Sequence, residues 1–451
     1  MYYRIGIVHY KILGTDGVSL EINKWKRVLE EAGHKVFLLG GEIGNDALIV
    51  HPELHHKTAI AKRLYRYSFV DTDAFYDEDA YEKALLQEAA RAESLLESFI
   101  QEHSIDYMIP QNIWSVGANP AVAIAMERVT KQHNLPVLAQ HHDFYWERIG
   151  GVSYTCDTAK KMIETYLPPT DKAYRHVVIN THSQKQLKEK KGIDAVIIPN
   201  VFDFSQEPWK PDVYNSRFLS DTNLHEDDII ILQATRIVER KGIELAIDVV
   251  AAMNERRSEL EGKILWSGKR FSKSSSIVLV LAGYSSDDET GTYVNRLTER
   301  ALSKGVDIRF IADHIGHIRS TKDDKRIYSL WDAYVFADII TYPSYWEGWG
   351  NQFLEGLFAK VPMVVYEYPV FISDIAPREF NIISLGKSYT KDPKTHLIDI
   401  PSEIIEQAAA SSIELLVDAQ RRKDFVEHNF TLGSCHYSME ALASYLLPLL
   451  D

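Results

Sequence analysis

The chain has 451 residues, 45% of them hydrophobic and 25% charged, with a formal net charge of −14. That length exceeds what one ordinary core accommodates and suits two domains of roughly 200 residues each. The acidic balance argues against nucleic acid or anionic lipid as the main partner, since both reward a basic surface, and no apolar run approaches the ~18 residues of a membrane span.

In chain order, Tyr3 to His9 reads as an apolar strand, Leu20 to Ala32 as a helix closed by Gly33, and Val36 to Leu39 as the next strand. An acidic helix is predicted from Asp79 to Glu102, then a strand at Tyr107 to Pro110 and a helix at Ala121 to His133. Strands follow at Val137 to Ala139, Val177 to Ile179 and Ala195 to Ile198. Phe202 to Asp228 is polar and carries Pro208 and Pro211, as expected of a connector.

The alternation then restarts. Strands are predicted at Ile229 to Gln233, Ile277 to Ala282, Asp307 to Ile311, Ile339 to Tyr342 and Met363 to Tyr366. Helices at Ile243 to Asn254, Thr292 to Lys304, Arg326 to Ala337 and Asn351 to Ala359 separate them, and Arg257 to Ser276 reads as an inserted loop. Strand–helix alternation at these lengths means parallel sheets covered on both faces. The expected class is α/β, with two Rossmann-like doubly wound domains facing a cleft and ligands outside the carboxyl ends of the strands.

Only Cys156 and Cys435 are present, without metal-type spacing, and they read as reduced structural thiols. Met1-Tyr2-Tyr3-Arg4 runs into a strand with no cleavage-site pattern, so no signal peptide is expected and the localisation reads as cytoplasmic.

The strongest chemical signal is Glu347-Gly348-Trp349-Gly350-Asn351-Gln352-Phe353-Leu354-Glu355, directly after a predicted strand. A strand, a glycine-bearing turn and a new helix present unpaired N–H groups and a positive dipole end, where a diphosphate fits. Glu347 is placed to accept from sugar hydroxyls, and Glu355, one turn into the helix, to reach a ribose. The bland alternative is a plain strand–turn–helix junction. A second element, Thr235-Arg236-Ile237-Val238-Glu239-Arg240-Lys241-Gly242, follows the first strand of the second half. Arg236 and Lys241 are positioned to neutralise charge on a leaving diphosphate in place of a metal. Alone, they also read as solvated surface cations.

Together, the Arg-x4-Lys-Gly element and the later Glu-x7-Glu element resemble the retaining glycosyltransferases of family four (group 1), which have the GT-B fold. His142-Asp143 after a first-half strand, Ile198-Pro199-Asn200 and the loop Gly14-Thr15-Asp16-Gly17-Val18 fit that family in order and spacing. The resemblance implies that Arg236 and Lys241 hold the donor diphosphate and Glu347 the donor sugar. The amides of Gly348, Trp349, Gly350 and Asn351 would approach sugar and phosphate, Glu355 the ribose, and Gly17 the diphosphate. His142 would sit beside the transferred sugar; a satisfied structural histidine is its alternative. Where the family often has a Gly-Gly-rich loop, this chain reads Tyr366-Glu367-Tyr368-Pro369-Val370-Phe371, which puts donor contacts there in doubt. With no obvious second-face carboxylate, retention suggests front-face transfer in which the leaving phosphate takes the acceptor's proton.

Asp71-Thr72-Asp73 is an Asp-x-Asp triplet without the strand that would present it to a metal, so no metal is expected. His55-His56-Lys57 and Lys62-Arg63-Leu64-Tyr65-Arg66-Tyr67 form a basic stretch in a first-half loop. A small anionic acceptor is the favoured reading for Lys62, Arg63 and Arg66; a membrane-surface patch and a solvated helix face remain open. Gln111-Asn112 and the polar-aromatic run Gln140 to Arg148 read as acceptor-side groups, with Asn112, His142 and Asp143 in contact. That run, with Asp16-Gly17-Val18-Ser19, resembles enzymes of compatible-solute glycoside synthesis, such as mannosylglucosyl-phosphoglycerate synthases.

The expectation is thus an N-terminal acceptor domain, 1–205 with a helix in 432–451 crossing back, and a nucleotide-sugar domain, 206–431. The crossing helix is placed at Tyr437 to Leu449. The reaction expected is hexosyl transfer from GDP-mannose or UDP-glucose to a small, phosphorylated or glycerate-type acceptor, without a cofactor beyond the donor. A nucleotide-sugar epimerase or phosphorylase on the same scaffold, and a lipid-linked acceptor, stand as alternatives. The oligomeric state stays open, a homodimer included.

Overall fold

A computed structural model describes residues 2–12, 17–42, 49–147, 154–284, 291–322 and 324–450. The chain divides into two units: Met1–Val201 with Met439–Asp451, and Phe202–Ser438.

The first unit runs β1 (Arg4–His9), α1 (Gly17–Glu31), β2 (Lys35–Gly40), β3 (Ile49–Val50), α2 (Ala59–Phe69), α3 (Glu78–His103), β4 (Tyr107–Pro110), α4 (Ile113–Val116), α5 (Pro120–Gln132), β5 (Val137–His141), α6 (Asp157–Tyr166), β6 (Tyr174–Val178), α7 (Thr181–Lys191) and β7 (Ala195–Ile197). Its strands form one parallel sheet, β3-β2-β1-β4-β5-β6-β7. Side chains alternate across it, so β1 sends Ile5 and Ile7 to one core with Ile22 and Trp25 of α1, and Val8 to the other. Gly6 faces α3, where a Cβ would come within 2.7 Å of the Phe99 ring.

The second unit adds α8 (Phe218–Asp221), β8 (Ile229–Gln233), α9 (Ile243–Glu255), β9 (Ile277–Leu281), α10 (Thr292–Ser303), β10 (Asp307–Phe310), β11 (Ile315–Gly316), β12 (Ser320–Lys322), β13 (Lys325–Ser329), α11 (Leu330–Phe336), β14 (Ile339–Tyr342), α12 (Asn351–Phe358), β15 (Met363–Val365), β16 (Ile383–Ser384), β17 (Thr390–Lys391), β18 (Ile398–Asp399), α13 (Ser402–Val417) and α14 (Ala419–Tyr437). Its main sheet is parallel in the order β10-β9-β8-β14-β15-β16. β8 and β9 are buried at every residue, as strands covered on both faces must be.

Three predicted elements take another form. The helix expected from Arg326 begins at Leu330, because Ser329 and Asp332 close a capping box there, while Lys325 to Ile327 pair as a strand with β12 and Tyr328 and Ser329 with β11. The basic stretch expected as a loop is largely the helix α2, whose first turn is capped where Thr58 Oγ1 accepts from Ala61 N at 3.2 Å. The helix expected from Tyr437 to Leu449 is broken at Ser438, whose backbone is extended; α15 (Met439–Leu446) starts afresh. Met439, Leu442 and Leu446 pack with Ile22 and Trp25, which makes this last helix part of the first unit.

Candidate active site

In the second unit the two motifs converge because β8 and β14 are neighbours in the sheet. Gly242 has φ +57, and a Cβ there would lie 2.5 Å from the Pro343 carbonyl oxygen, so the loop after β8 packs directly on the loop after β14. Tyr345 N donates to Arg240 O at 3.1 Å and ties the loops together. Glu347 is buried there, and its carboxylate accepts from Arg240 Nη1 at 2.8 Å and from Lys241 Nζ. Burial raises the Glu347 pKa, but attraction to Lys241 and Arg240 outweighs it and holds the carboxylate below its ordinary range. Burial pushes the Lys241 ammonium down despite Glu347, with repulsion from Arg240 and Arg236 adding to the effect.

Arg240, to which its motif alone assigns no role, is thus a third cation of the cluster; Arg236 lies exposed at the end of β8. One carboxylate faces Arg240 and Lys241 directly, and with Arg236 nearby the local balance is positive. That is electrostatically suited to a diphosphate.

Beyond Glu347 the chain turns through Gly350, φ +133, into α12, whose start carries no side-chain cap. A Cβ at Gly350 would lie 2.4 Å from the Tyr368 hydroxyl and 2.9 Å from that of Tyr342. Tyr368 OH donates to Trp349 O at 2.5 Å, so the segment that replaces a glycine-rich loop braces the turn with a phenol. The Trp349 indole is buried against Tyr437, 5.4 Å between ring centroids, so its side chain belongs to the core and only its backbone faces the turn. Glu355 accepts from Tyr334 OH at 2.6 Å. Gly348 and Asn351 lie on either side of the Trp349–Gly350 turn.

In the first unit, polar groups gather at the carboxyl ends of β1, β4 and β5. His142 is buried; its backbone N donates to Asn112 Oδ1 at 2.6 Å, and its Nε2 lies 3.2 Å from Gln111 Oε1. Burial, with repulsion from His9 and Lys24, lowers its pKa to about 3. A neutral imidazole whose Nε2–H is given to Gln111 keeps Nδ1 as an acceptor for a hydroxyl. Asn112, in left-handed conformation, uses its side-chain oxygen to orient His142. Asp143 is exposed. His141 turns the other way, with Nε2 2.9 Å from His176 Nδ1.

The expected α2 cations are occupied differently. Arg63 donates to Ala74 O at 2.8 and 3.1 Å and stacks 4.3 Å over Phe75. Arg66 pairs with Asp71 at 2.8 Å and Asp73 at 3.4 Å, which gives both carboxylates of the Asp-x-Asp triplet a local partner. Lys62 is exposed. Gly17 opens α1 and is exposed; Gly14, Thr15, Asp16 and Arg148 lie outside the described residues. Among the described residues no group of three His, Cys, Asp or Glu side chains is arranged to hold a metal, and no helix is long and apolar enough to cross a membrane. Cys156 and Cys435 are free thiols.

The family signature described as "Glycosyl transferases group 1" matches residues 216–385, which include both second-unit motifs. The chain is 40% identical over 439 residues to the mannosylglucosylglycerate synthase of Petrotoga mobilis, covering 97% of this chain and 98% of that one. It is 33% identical to the mannosylglucosylglycerate synthase of Thermotoga maritima, covering 98% of each. Among solved structures it resembles a glycosyltransferase from Rickettsia africae, with TM-score 0.63 and 15% identity over 99% of this chain and 97% of that one.

Proposed function

The chain belongs to the group 1 glycosyltransferases of GT-B fold, the family of these synthases, and from that premise we propose that it transfers a hexosyl group, with mannosyl favoured, from a nucleoside-diphosphate sugar to a small glycerate-bearing glycoside with retention of configuration. The observation that carries the donor half is the buried pair of Lys241 and Glu347, joined by the half-buried Arg240, beside the uncapped start of α12. Lys241 and Arg240, with Arg236, offset the charge that grows on the leaving diphosphate, and the amides at Gly348 to Asn351 receive its oxygens. Glu347 accepts from donor-sugar hydroxyls while remaining in contact with its cations. Glu355, oriented by Tyr334, accepts from the ribose.

The first unit takes the acceptor, and His142 in its neutral form accepts a hydroxyl hydrogen. The acceptor's nucleophilic oxygen attacks the anomeric carbon on the face the diphosphate leaves; the departing phosphate oxygen takes the hydroxyl proton, and no side chain serves as nucleophile. The acceptor class rests on the relatives' printed name and their full-length similarity. We propose a cytoplasmic setting, which nucleotide-sugar use and the two free thiols support. Thermal unfolding with UDP, GDP, ADP and their sugar conjugates, with and without EDTA, tests the donor assignment. A rise in Tm with one nucleotide, indifferent to EDTA and lost in Lys241→Ala, supports it; no rise with any of them in folded protein contradicts it.

A further inference from the structure

Beside His142, at the carboxyl ends of β1 and β3, lies a second group of donors and cations. His9 Nδ1 is 2.7 Å from the Gln111 carbonyl oxygen, which places Gln111 and His9 side by side. The Gln111 side chain is fully buried, and its Nε2 has no hydrogen-bond partner among the described residues. His56 Nδ1 is likewise buried and without a partner. Gln111 Nε2 is a buried donor left unmet, and His56 Nδ1 is a second in its Nδ1–H tautomer; unmet buried donors cost free energy, and two in this group point to a ligand that accepts from both.

The position of His56 is set by packing. Its ring stacks on His55 at 4.6 Å and meets the edge of Tyr10 at 5.8 Å, while Tyr10 OH donates to Ile113 O. The His55 backbone presses on Gly41, where a Cβ would lie 2.4 Å from His55 N, so the turn carrying His56 is seated on the end of β2. Among the described residues, His55, His9, Lys57 and Lys11 all act against protonation of His56, after burial itself, and its pKa is lowered to about 4. One carboxylate among the described residues, Glu42, reaches this group, 3.4 Å from His55, and it is half exposed. A concentration of positive potential in a protein of charge −14 is a specific feature. The α2 arginines are held by their own loop and are not the anion's partners.

Resting on the function proposed above, we propose that His56 Nδ1 and Gln111 Nε2, with the ammonium groups of Lys11 and Lys57 at the rim and His9 as the wall between them, form the seat of the acceptor's carboxylate. The carboxylate supplies the acceptor oxygens that both donors lack, and its single charge is balanced by the rim. Placed there, it holds the rest of the acceptor beside His142, which shares Gln111 through the amide's other end. The seat thereby distinguishes a glycerate-bearing acceptor from its neutral glycerol counterpart.

The test uses the full-length protein with ring-labelled histidine, titrated with glucosylglycerate and, separately, glucosylglycerol. The His56 resonance, identified by its loss in His56→Gln, shifts with the first ligand and not with the second. Equal shifts with both, or none with either, overturn the proposal. In parallel, transfer to the two acceptors is followed. The preference for glucosylglycerate in kcat/KM falls by about tenfold or more in His56→Ala and in Lys57→Gln, the loss expected for one charge-assisted contact. Variants that lose transfer to both acceptors in equal proportion also overturn it. If wild-type protein transfers to neither acceptor while His56 still answers only to the carboxylate, the proposed reaction fails and the seat stands. Transfer to glucosylglycerate with a silent His56 leaves the reaction and removes the seat.

Discussion

Lys241 and Glu347 bury opposite charges against each other at the carboxyl ends of neighbouring strands, 8% and 9% exposed respectively. Such a pair is held by its neighbours more than by its own attraction, because desolvation costs offset much of the Coulomb gain. Arg240 supplies the excess positive charge, so removing the carboxylate leaves two cations facing each other.

Glu347→Gln is therefore expected to lose about 3 kcal/mol of stability, the scale for breaking one side of a buried pair, and to lower kcat/KM by roughly a hundredfold or more. The double variant Glu347→Gln with Lys241→Met recovers most of the stability and none of the activity. Denaturant unfolding of the four proteins in one cycle checks this; additive losses contradict the coupling.

Tyr334 donates to Glu355 at 2.6 Å, and in the proposed donor site it would act on the donor through that carboxylate. Tyr334→Phe keeps the ring and releases the carboxylate's orientation. Donor KM is expected to rise by about tenfold, the worth of one hydrogen bond to a charged group, with kcat little changed. A fall in kcat at constant KM contradicts a ribose-side role.

Gly350 has room for no side chain, because the Tyr368 and Tyr342 hydroxyls occupy the space and its backbone lies at φ +133. Gly350→Ala is expected to lower stability by about 1–3 kcal/mol and to remove most activity. Adding Tyr368→Phe relieves the contact but not the backbone strain, so partial recovery of Tm is predicted. Full stability in Gly350→Ala alone contradicts the packing account.

Much of this site was legible in the sequence. Parallel strands buried on both faces are near-continuous apolar runs, so β8, β9 and β14 are visible as such, and the two motifs follow β8 and β14 directly. Sequence spacing does not reveal which strands are neighbours, and so it left Arg240 without a partner and Tyr334 without a role: the contacts to Glu347 and Glu355 are tertiary. His9 and Gln111 carry no motif; they matter because β1 and β4 pair in the sheet. The partners of the basic stretch are hidden for a similar reason, since Arg66 finds Asp71 and Asp73 only after α2 turns back on its own loop.

Stability should depend on pH in two opposed ways. Burial lowers His142 to about 3 and His56 and His176 to about 4, below the ordinary 6.5. Between 6.5 and about 4 the unfolded chain takes up protons that the folded chain refuses, so these groups remove stability as pH falls. Glu147 does the reverse: burial, with repulsion from Asp143, raises it from 4.5 to about 7, so its contribution is lost as pH rises through that window. His141 and His436 are lowered as well, and Glu21 and Glu244 are raised by burial; five imidazoles outweigh three carboxyls, and Tm is expected to rise from pH 4.5 to 6.5. Glu147→Gln should steepen that rise, as scanning calorimetry across the range will record; an unchanged slope contradicts the assignment.

The most direct test of the central claim is the product itself. Purified protein is incubated with glucosylglycerate and a panel of nucleotide sugars, GDP-mannose and UDP-glucose among them, and the anomeric proton of any new glycoside is followed by NMR. A glycoside from one donor is expected, with the donor's anomeric configuration retained, and none from Lys241→Met. An inverted product, or every donor left intact by active, folded protein, contradicts it.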